Sequence, residues 1–338
     1  MDISDTCCRS SSLVAKDGGN VVFLLGAPRS GTTWLAKIFD SHPDVVYRHE
    51  PDTVVRSKSL PVLCPRDKVA AYRDEAKDYV LRLMDVRTQK SAGSLPIFPK
   101  SYQGALSQAA RAAFVFGPRV IERATGAKWP REIAIPDFVR ASSRKPVVVM
   151  KSVSSRGRAR LFAEALPASR ILFILRHPCG QVASMMVGIN KGKFEGDARL
   201  REILETEEAV LYGLTGEVFD ALTQAEKCAW HWAILNQKAL NDLAGLARVM
   251  TVRYEDLCRQ PEIVSHRMFD FAGLSWNAQT ADFLHKSATG SDTSDYFKTT
   301  RNSLAAAEKW RSELSAEDQE RVLRIARRVP VGDLALAA

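Results

Sequence analysis

No stretch of this 338-residue chain is apolar for long enough to cross a bilayer. The longest runs, Val21–Leu25 with its flanks and Ile171–Leu175, fall far short of the roughly 18 residues a spanning helix needs. The first twenty residues have no apolar centre of signal-peptide length and carry Asp2, Asp5 and Asp17, so 1–19 reads as a flexible leader and a cytoplasmic location is expected, with no membrane anchor. Internal repeats and blocks of one charge or of Pro and Gly are also missing, which excludes solenoids and extended disorder. With 46% apolar and 26% charged residues the composition is that of a globular chain.

Cys-x-x-Cys pairs are absent too. The six cysteines, Cys7, Cys8, Cys64, Cys179, Cys228 and Cys258, therefore suggest neither a disulfide framework nor a zinc site and read as free thiols. Acylation or metal binding at the adjacent Cys7 and Cys8 stays open. No other metal-ligand spacing is visible, and His49 with Glu50 lacks the spacing of a helical metal pair, so no metal is expected. The formal charge of +9 favours anionic partners in general. Its basic residues are dispersed and form no nucleic-acid reading motif, so a nucleic-acid partner is not expected.

What is present is an alternation of buried-strand and helix patterns. Val21–Leu25 ends at Gly26, a turn follows, and from Thr32 a helical stripe of Trp34, Leu35, Ile38 and Phe39 runs to His42–Pro43. Further strands are predicted at Val45–Tyr47, Pro146–Met150, Ile171–Leu175 and Val249–Val252. Helices are predicted at Arg156–Leu166, around Trp230–Leu235, and in the tail at Ala305–Leu314 and Ala316–Arg327. Residues 52–145 read as a largely helical insertion, with longer helices at Arg66–Thr88 and Ala105–Thr125, that either shapes an acceptor pocket or packs as a plain layer. The pattern predicts one α/β domain over 1–338 with three layers, a central mostly parallel sheet flanked by helices.

Between the first strand and helix stands Gly26-Ala-Pro-Arg29-Ser30-Gly31-Thr32-Thr33-Trp34. Its glycine spacing is that of a phosphate-binding loop, where backbone N–H groups and the positive end of a helix converge on an anion. The lysine of a nucleotide triphosphatase loop is missing: Thr32 holds its place, and the cation sits inside the loop at Arg29. That argues against kinase or ATPase chemistry and suits a donor with one phosphate before the transferred group.

At these residues the chain resembles the sulfotransferases that use 3'-phosphoadenosine 5'-phosphosulfate (PAPS), whose donor loop reads P-[RK]-[ST]-G-[ST]-[ST]. The resemblance implies a P-loop fold, PAPS as co-substrate, and donor contacts from Arg29, Ser30, Gly31, Thr32, Thr33 and Trp34. A second block, Arg170 to Ser184, has a buried strand ending in Arg176 with Ser184 in the next helix, similar to the family's 3'-phosphate motif. The protein-tyrosine branch adds an arginine where this chain has Gly188; Lys191 either replaces it or does not. Weaker resemblances extend donor binding to Tyr254 and to a closing loop with Ser294, Arg301, Asn302, Ser303 and Lys309.

The family's small-molecule members take the acceptor proton with the histidine of a K-[TS]-H segment. Here that segment is Lys151-Ser152-Val153, and valine accepts no proton. The tyrosine- and carbohydrate-directed branches use a glutamate shortly after a segment like His42-Pro43-Asp44-Val45, which implies Glu50 as general base, with His49 the runner-up and pairing of Glu50 with Arg48 the structural alternative. Lys151 and Arg29 are implied as the cations at the leaving oxygen. A small-molecule or glycan acceptor, tilted toward glycans, glycolipids or tyrosine, goes with this resemblance; the oligomeric state is left open. The competing readings are a P-loop nucleoside or small-molecule kinase and a PAPS sensor without turnover.

Overall fold

The computed structural model describes residues 13–15, 17–126, 133–140, 144–192, 197–289 and 303–337, with the backbone alone at Asp197, Thr289 and Ser303. Five strands, β1 (Val21–Gly26), β2 (Val45–His49), β3 (Val147–Ser152), β4 (Arg170–Leu175) and β5 (Val249–Arg253), form one sheet in the order β2-β3-β1-β4-β5. All four pairings are parallel, which sharpens the expected mostly parallel sheet.

Because successive strand side chains point to opposite faces, the central strands β1, β3 and β4 each feed two cores. Val21, Phe23, Leu25, Met150, Ile171 and Phe173 pack on one face with residues of the helices Arg73–Met84, Ala159–Ala165, Pro178–Asn190 and Gln224–Leu243. Val22, Leu24, Val149, Leu172 and Ile174 pack on the other with the helices Thr32–Asp40, Tyr254–Arg259 and Pro261–Ala272. The result is the three-layer α/β arrangement the sequence predicts. Removing one such side chain, Phe23→Ala for example, costs about 3–5 kcal/mol.

Two strands run past their expected ends. β2 continues through Arg48 and His49, and β3 through Lys151 and Ser152, because each of these polar side chains finds a partner rather than stopping the ladder. Parallel register then brings Gly26, His49, Lys151, Leu175 and Arg253 to one sheet edge, with Leu24 beside Lys151, Lys151 beside His49, and Leu175 beside Arg253. Loops at that edge of an open α/β sheet are where ligands bind.

The insertion is less continuous than predicted. Its first long helix divides into a 3-10 turn at Arg66–Tyr72 and a helix at Arg73–Met84, with a short turn at Gln89–Ala92 beyond. Ala105–Thr125 is helical over the expected span although Gly117 and Pro118 lie inside it. No helix among the described residues is long and apolar enough to cross a membrane.

Candidate active site

The turn after β1 is held by three features. Ser30 is fully buried and donates from both its amide and its hydroxyl to the carbonyl of Ala27. Arg29 has a left-handed backbone, φ 70°, unusual for a residue with a β-carbon. Gly31, φ 87°, lies so close beneath Tyr254 that a β-carbon there would fall 2.2 Å from the ring. The helix Thr32–Asp40 starts directly from Gly31 without a side-chain cap, which leaves its first amides facing the turn.

The two motif blocks meet here. Arg176, just past β4, donates from Nη1 to the carbonyl of Arg29 at 2.7 Å and from Nη2 to that of Ala306 at 3.1 Å. Its guanidinium lies 4.8 Å from the centre of the Tyr254 ring. Arg29 in turn donates from Nε to Ser184 Oγ at 2.8 Å, so Ser184 accepts from the loop arginine. Behind Arg176, the indole N–H of Trp232 binds its carbonyl at 3.1 Å, and Glu255 accepts the amide of His177 at 3.0 Å. His177 stacks on Trp310, centroids 4.5 Å apart. Burial first, then Arg311, Arg176 and Arg253, push the His177 imidazole down to about 4.

A buried ion pair stands a few residues away on the same edge. Lys151 Nζ, 2% exposed, donates to Glu50 Oε1 at 2.6 Å and to Thr33 Oγ1 at 3.2 Å. Glu50 has the second left-handed backbone of the site, φ 45°, and its amide binds the carbonyl of Lys151 at 2.9 Å. Burial alone raises the Glu50 carboxyl, but Lys151, with His49 and Lys90 adding, brings it below the ordinary carboxylate value. Burial lowers the Lys151 ammonium, and Glu50 offsets that in part. His49 shares a hydrogen bond with Tyr47 Oη at 2.8 Å, and burial, then Lys151, hold it down at about 3.

The alternative partner for Glu50 is engaged elsewhere. Arg48 is fully buried and forks onto Asp137, at 3.0 and 2.6 Å, tying β2 to the insertion.

Other expected residues sit further from the turn. Trp34 turns inward, its indole N–H on Ser287 Oγ at 2.9 Å and its ring edge-on to Tyr254. Thr32 is buried against Gly26. Lys309 is exposed and pairs with Glu313 at 2.9 Å. Ser294, Arg301 and Asn302, like Cys7 and Cys8, lie outside the described residues, and the side chain of Ser303 does as well.

Sequence reasoning missed several neighbours. Lys90 approaches Glu50 to 4.0 Å and donates to Thr53 Oγ1. Asp52, 3% exposed, accepts the hydroxyls of Ser152 and Ser155 and fixes the turn beyond β3. Trp232 is a core residue with a polar tip, its indole N–H on the carbonyl of Arg176. No local signal marks Lys90, since its partners stand about forty positions away; Asp52, two residues beyond Glu50, was within reach of a turn-based reading.

Among the described residues no three His, Cys, Asp or Glu side chains are gathered as for a metal ion. The model of the family described as "Sulfotransferase family" matches residues 21–278. Carbohydrate sulfotransferase 3 of Mus musculus is 40% identical over 65 residues, 19% of this chain and 14% of that protein, so this match spans only a small part of that relative. Carbohydrate sulfotransferase 5 of Mus musculus is 27% identical over 327 residues, 87% of this chain and 75% of that protein. Among solved structures, the sulfotransferase domain from the curacin biosynthetic pathway aligns over 91% of this chain and 98% of that one at 16% identity, with a TM-score of 0.43. With a family model spanning the sheet, the turn after β1, the Glu50–Lys151 pair and Arg176, the chain belongs to the sulfotransferase family.

Proposed function

We propose that this protein transfers a sulfuryl group from PAPS to an acceptor hydroxyl, with a glycan or glycolipid as acceptor. The observation that carries the reading is the bonded path Arg176–Arg29–Ser184, which joins two motif blocks about 150 residues apart into one anion-facing corner. In this reading the amides of Gly31, Thr32 and Thr33 and the side chain of Arg29 hold the donor's 5'-phosphate, with Ser30 bracing the turn through Ala27. Arg176, Ser184 and Tyr254 take the 3'-phosphoadenosine end, where a forked guanidinium suits a phosphate. Ser294 and Arg301 to Ser303 complete the donor site, with Lys309 at its rim.

The acceptor oxygen attacks sulfur in line as the bond from sulfur to the 5'-phosphate oxygen breaks, and adenosine 3',5'-bisphosphate leaves. Lys151 and Arg29 offset the charge that builds on that leaving oxygen. The acceptor's proton goes to Glu50. A carboxylate held low by an adjacent ammonium is a weak base, and it strengthens as the Lys151 charge is drawn toward the leaving oxygen, so proton uptake and bond cleavage support each other. His49, held at about 3 and hydrogen-bonded to Tyr47, is the poorer base. The insertion 52–145 forms the acceptor side, reaching the centre through Lys90. The carbohydrate-directed names of the relatives support the glycan assignment.

Transfer of labelled sulfate from PAPS to sugar, glycolipid, peptide and phenol acceptors tests this, with ATP in parallel. We expect product on a sugar-bearing acceptor and no effect of EDTA. Absence of transfer to every class, with ATP stabilising the protein and PAPS not, overturns the reading in favour of a kinase.

A further inference from the structure

Arg156 heads the short helical turn Arg156–Arg158 beyond β3 and is 4% exposed. Its side chain's one hydrogen bond among the described residues runs from Nη1 to Asn236 Oδ1 at 3.2 Å. No carboxylate acts on it, and the charge that does reach it is another cation, Arg199. The contrast with Arg48 is direct, since that arginine is equally buried and forks onto Asp137.

Two more groups beside Arg156 are unsatisfied. His231, 5% exposed, has a buried Nδ1 with no partner, and the amide nitrogen of Asn236 is likewise buried without one. Burial first, then Arg156 and Arg199, hold His231 far below its ordinary value, so its imidazole is neutral. A buried guanidinium, a buried amide nitrogen and a buried imidazole nitrogen thus stand together with Arg199 acting on both Arg156 and His231, and no acid among the described residues acts on Arg156 to balance it. A guanidinium does not shed its proton, and burying one without a counter-charge is costly, so an arrangement of this kind is explained by an anion that binds there.

The cluster adjoins the reaction centre. Ser152 and Ser155, which lead from β3 into Arg156, are bound by Asp52, two residues beyond Glu50. Asn236 follows Trp232 by one helical turn, and Trp232 binds the carbonyl of Arg176. On the far side, Cys64 donates its amide to Gly157, closing the cluster with the start of the insertion.

We propose that Arg156, Arg199, His231 and Asn236 form an oxyanion subsite for a carboxylate or sulfate ester carried by the acceptor. This rests on the sulfuryl-transfer reading. Guanidinium and amide N–H groups match the planar or tetrahedral oxygens of such groups, and the Asp52-bound turn that leads into Arg156 links the subsite to the chain segment of Glu50.

Selenate is the probe, titrated calorimetrically into protein saturated with adenosine 3',5'-bisphosphate. Wild type is expected to bind it saturably and Arg156→Gln about tenfold more weakly, with nucleotide affinity unchanged within about twofold. Equal selenate affinity in both proteins, or none in wild type, overturns the subsite. Glucose 6-sulfate is expected to displace the selenate; failure to do so overturns the assignment to an acceptor group in favour of a free anion. Should Arg156→Gln not fold, an anomalous selenium peak within hydrogen-bond reach of Arg156 in wild-type crystals decides the same question, its absence counting against the subsite. Failure of the nucleotide itself to bind is a separate result: it sinks the sulfuryl-transfer reading and with it the assignment to an acceptor, while selenate binding to the free protein, lost in Arg156→Gln, still reports the anion site.

Discussion

At opposite ends of the helix Thr32–Asp40 stand two largely buried lysine–carboxylate systems, and they are built to different ends. At the far end Lys37 donates to Asp40 at 2.7 Å and to the carbonyls of Ser94 and Pro96, while Lys100 donates to Asp40 and to the carbonyls of Asp40 and His42. Asp40 thus faces two ammonium groups, and the cluster pins the insertion to the end of that helix. Every Lys37 donor has a protein acceptor, and its Nζ also lies 5.3 Å from the centre of the Tyr47 ring. At the near end Lys151 has Glu50 and Thr33, Glu50 keeps 18% of its side chain exposed, and its backbone is left-handed. Saturation marks the structural pair. Partial exposure, a strained backbone and a shared lysine mark the one we propose to react.

The largest effect expected from breaking that contrast is on turnover. Glu50→Gln is nearly isosteric and removes the proposed base, so kcat for the proposed PAPS-dependent transfer is expected to fall by about 10²–10⁴ with little change in nucleotide affinity. Near-normal turnover in this variant removes Glu50 from the role. Lys151→Met comes next, with a loss of about 10²–10³ in kcat and acceptor KM held within a few-fold. Lys37→Met is its counterpart and should do the reverse. We expect a stability loss on the order of 3 kcal/mol by chemical denaturation, because it leaves part of a buried ion cluster uncompensated, with kcat per folded molecule retained. If Lys37→Met lowers turnover as much as Lys151→Met, the distinction between the two clusters fails.

Smaller effects sharpen the picture. His177 is pushed down to about 4, below the roughly 6.5 of an exposed histidine, so the unfolded chain takes up its proton first. Stability contributed above pH 6.5 is therefore lost as the pH falls toward 4, by about 2 kcal/mol for this residue once its partial exposure is allowed for. His177→Gln should flatten the denaturation midpoint over that window; an unchanged slope assigns the acid loss elsewhere. The least effect is expected from Lys90→Ala. It removes a half-exposed ammonium 4.0 Å from Glu50 and should change kcat by about twofold, with a slight rise in the acidic limb of the pH–rate profile.

Much of this was legible in the sequence, and the limits have physical causes. Buried strands of a parallel sheet read as apolar runs, so all five were visible, as was the turn at Gly26–Thr33 that follows the first. Their ends were not: Arg48, His49, Lys151 and Ser152 look like loop residues and stay in the ladder because partners elsewhere satisfy them. Asp137 as the partner of Arg48 stands 89 positions away, and nothing local announces it. Left-handed Arg29 and Glu50 were equally hidden, since that conformation is expected of glycine and is imposed here by tertiary structure. The division of Arg66–Met84 into two helical pieces was missed because the whole segment carries helix-compatible residues.

The central claim is that one corner of the sheet edge binds a nucleotide bearing phosphates at both the 5' and the 3' position. Calorimetric titration of adenosine 3',5'-bisphosphate against adenosine 5'-phosphate, with wild type and Arg176→Ala, tests it most directly. The account predicts that wild type prefers the bisphosphate by at least about tenfold and that Arg176→Ala erases most of the preference. No heat with the bisphosphate, or an unchanged preference in the variant, contradicts it.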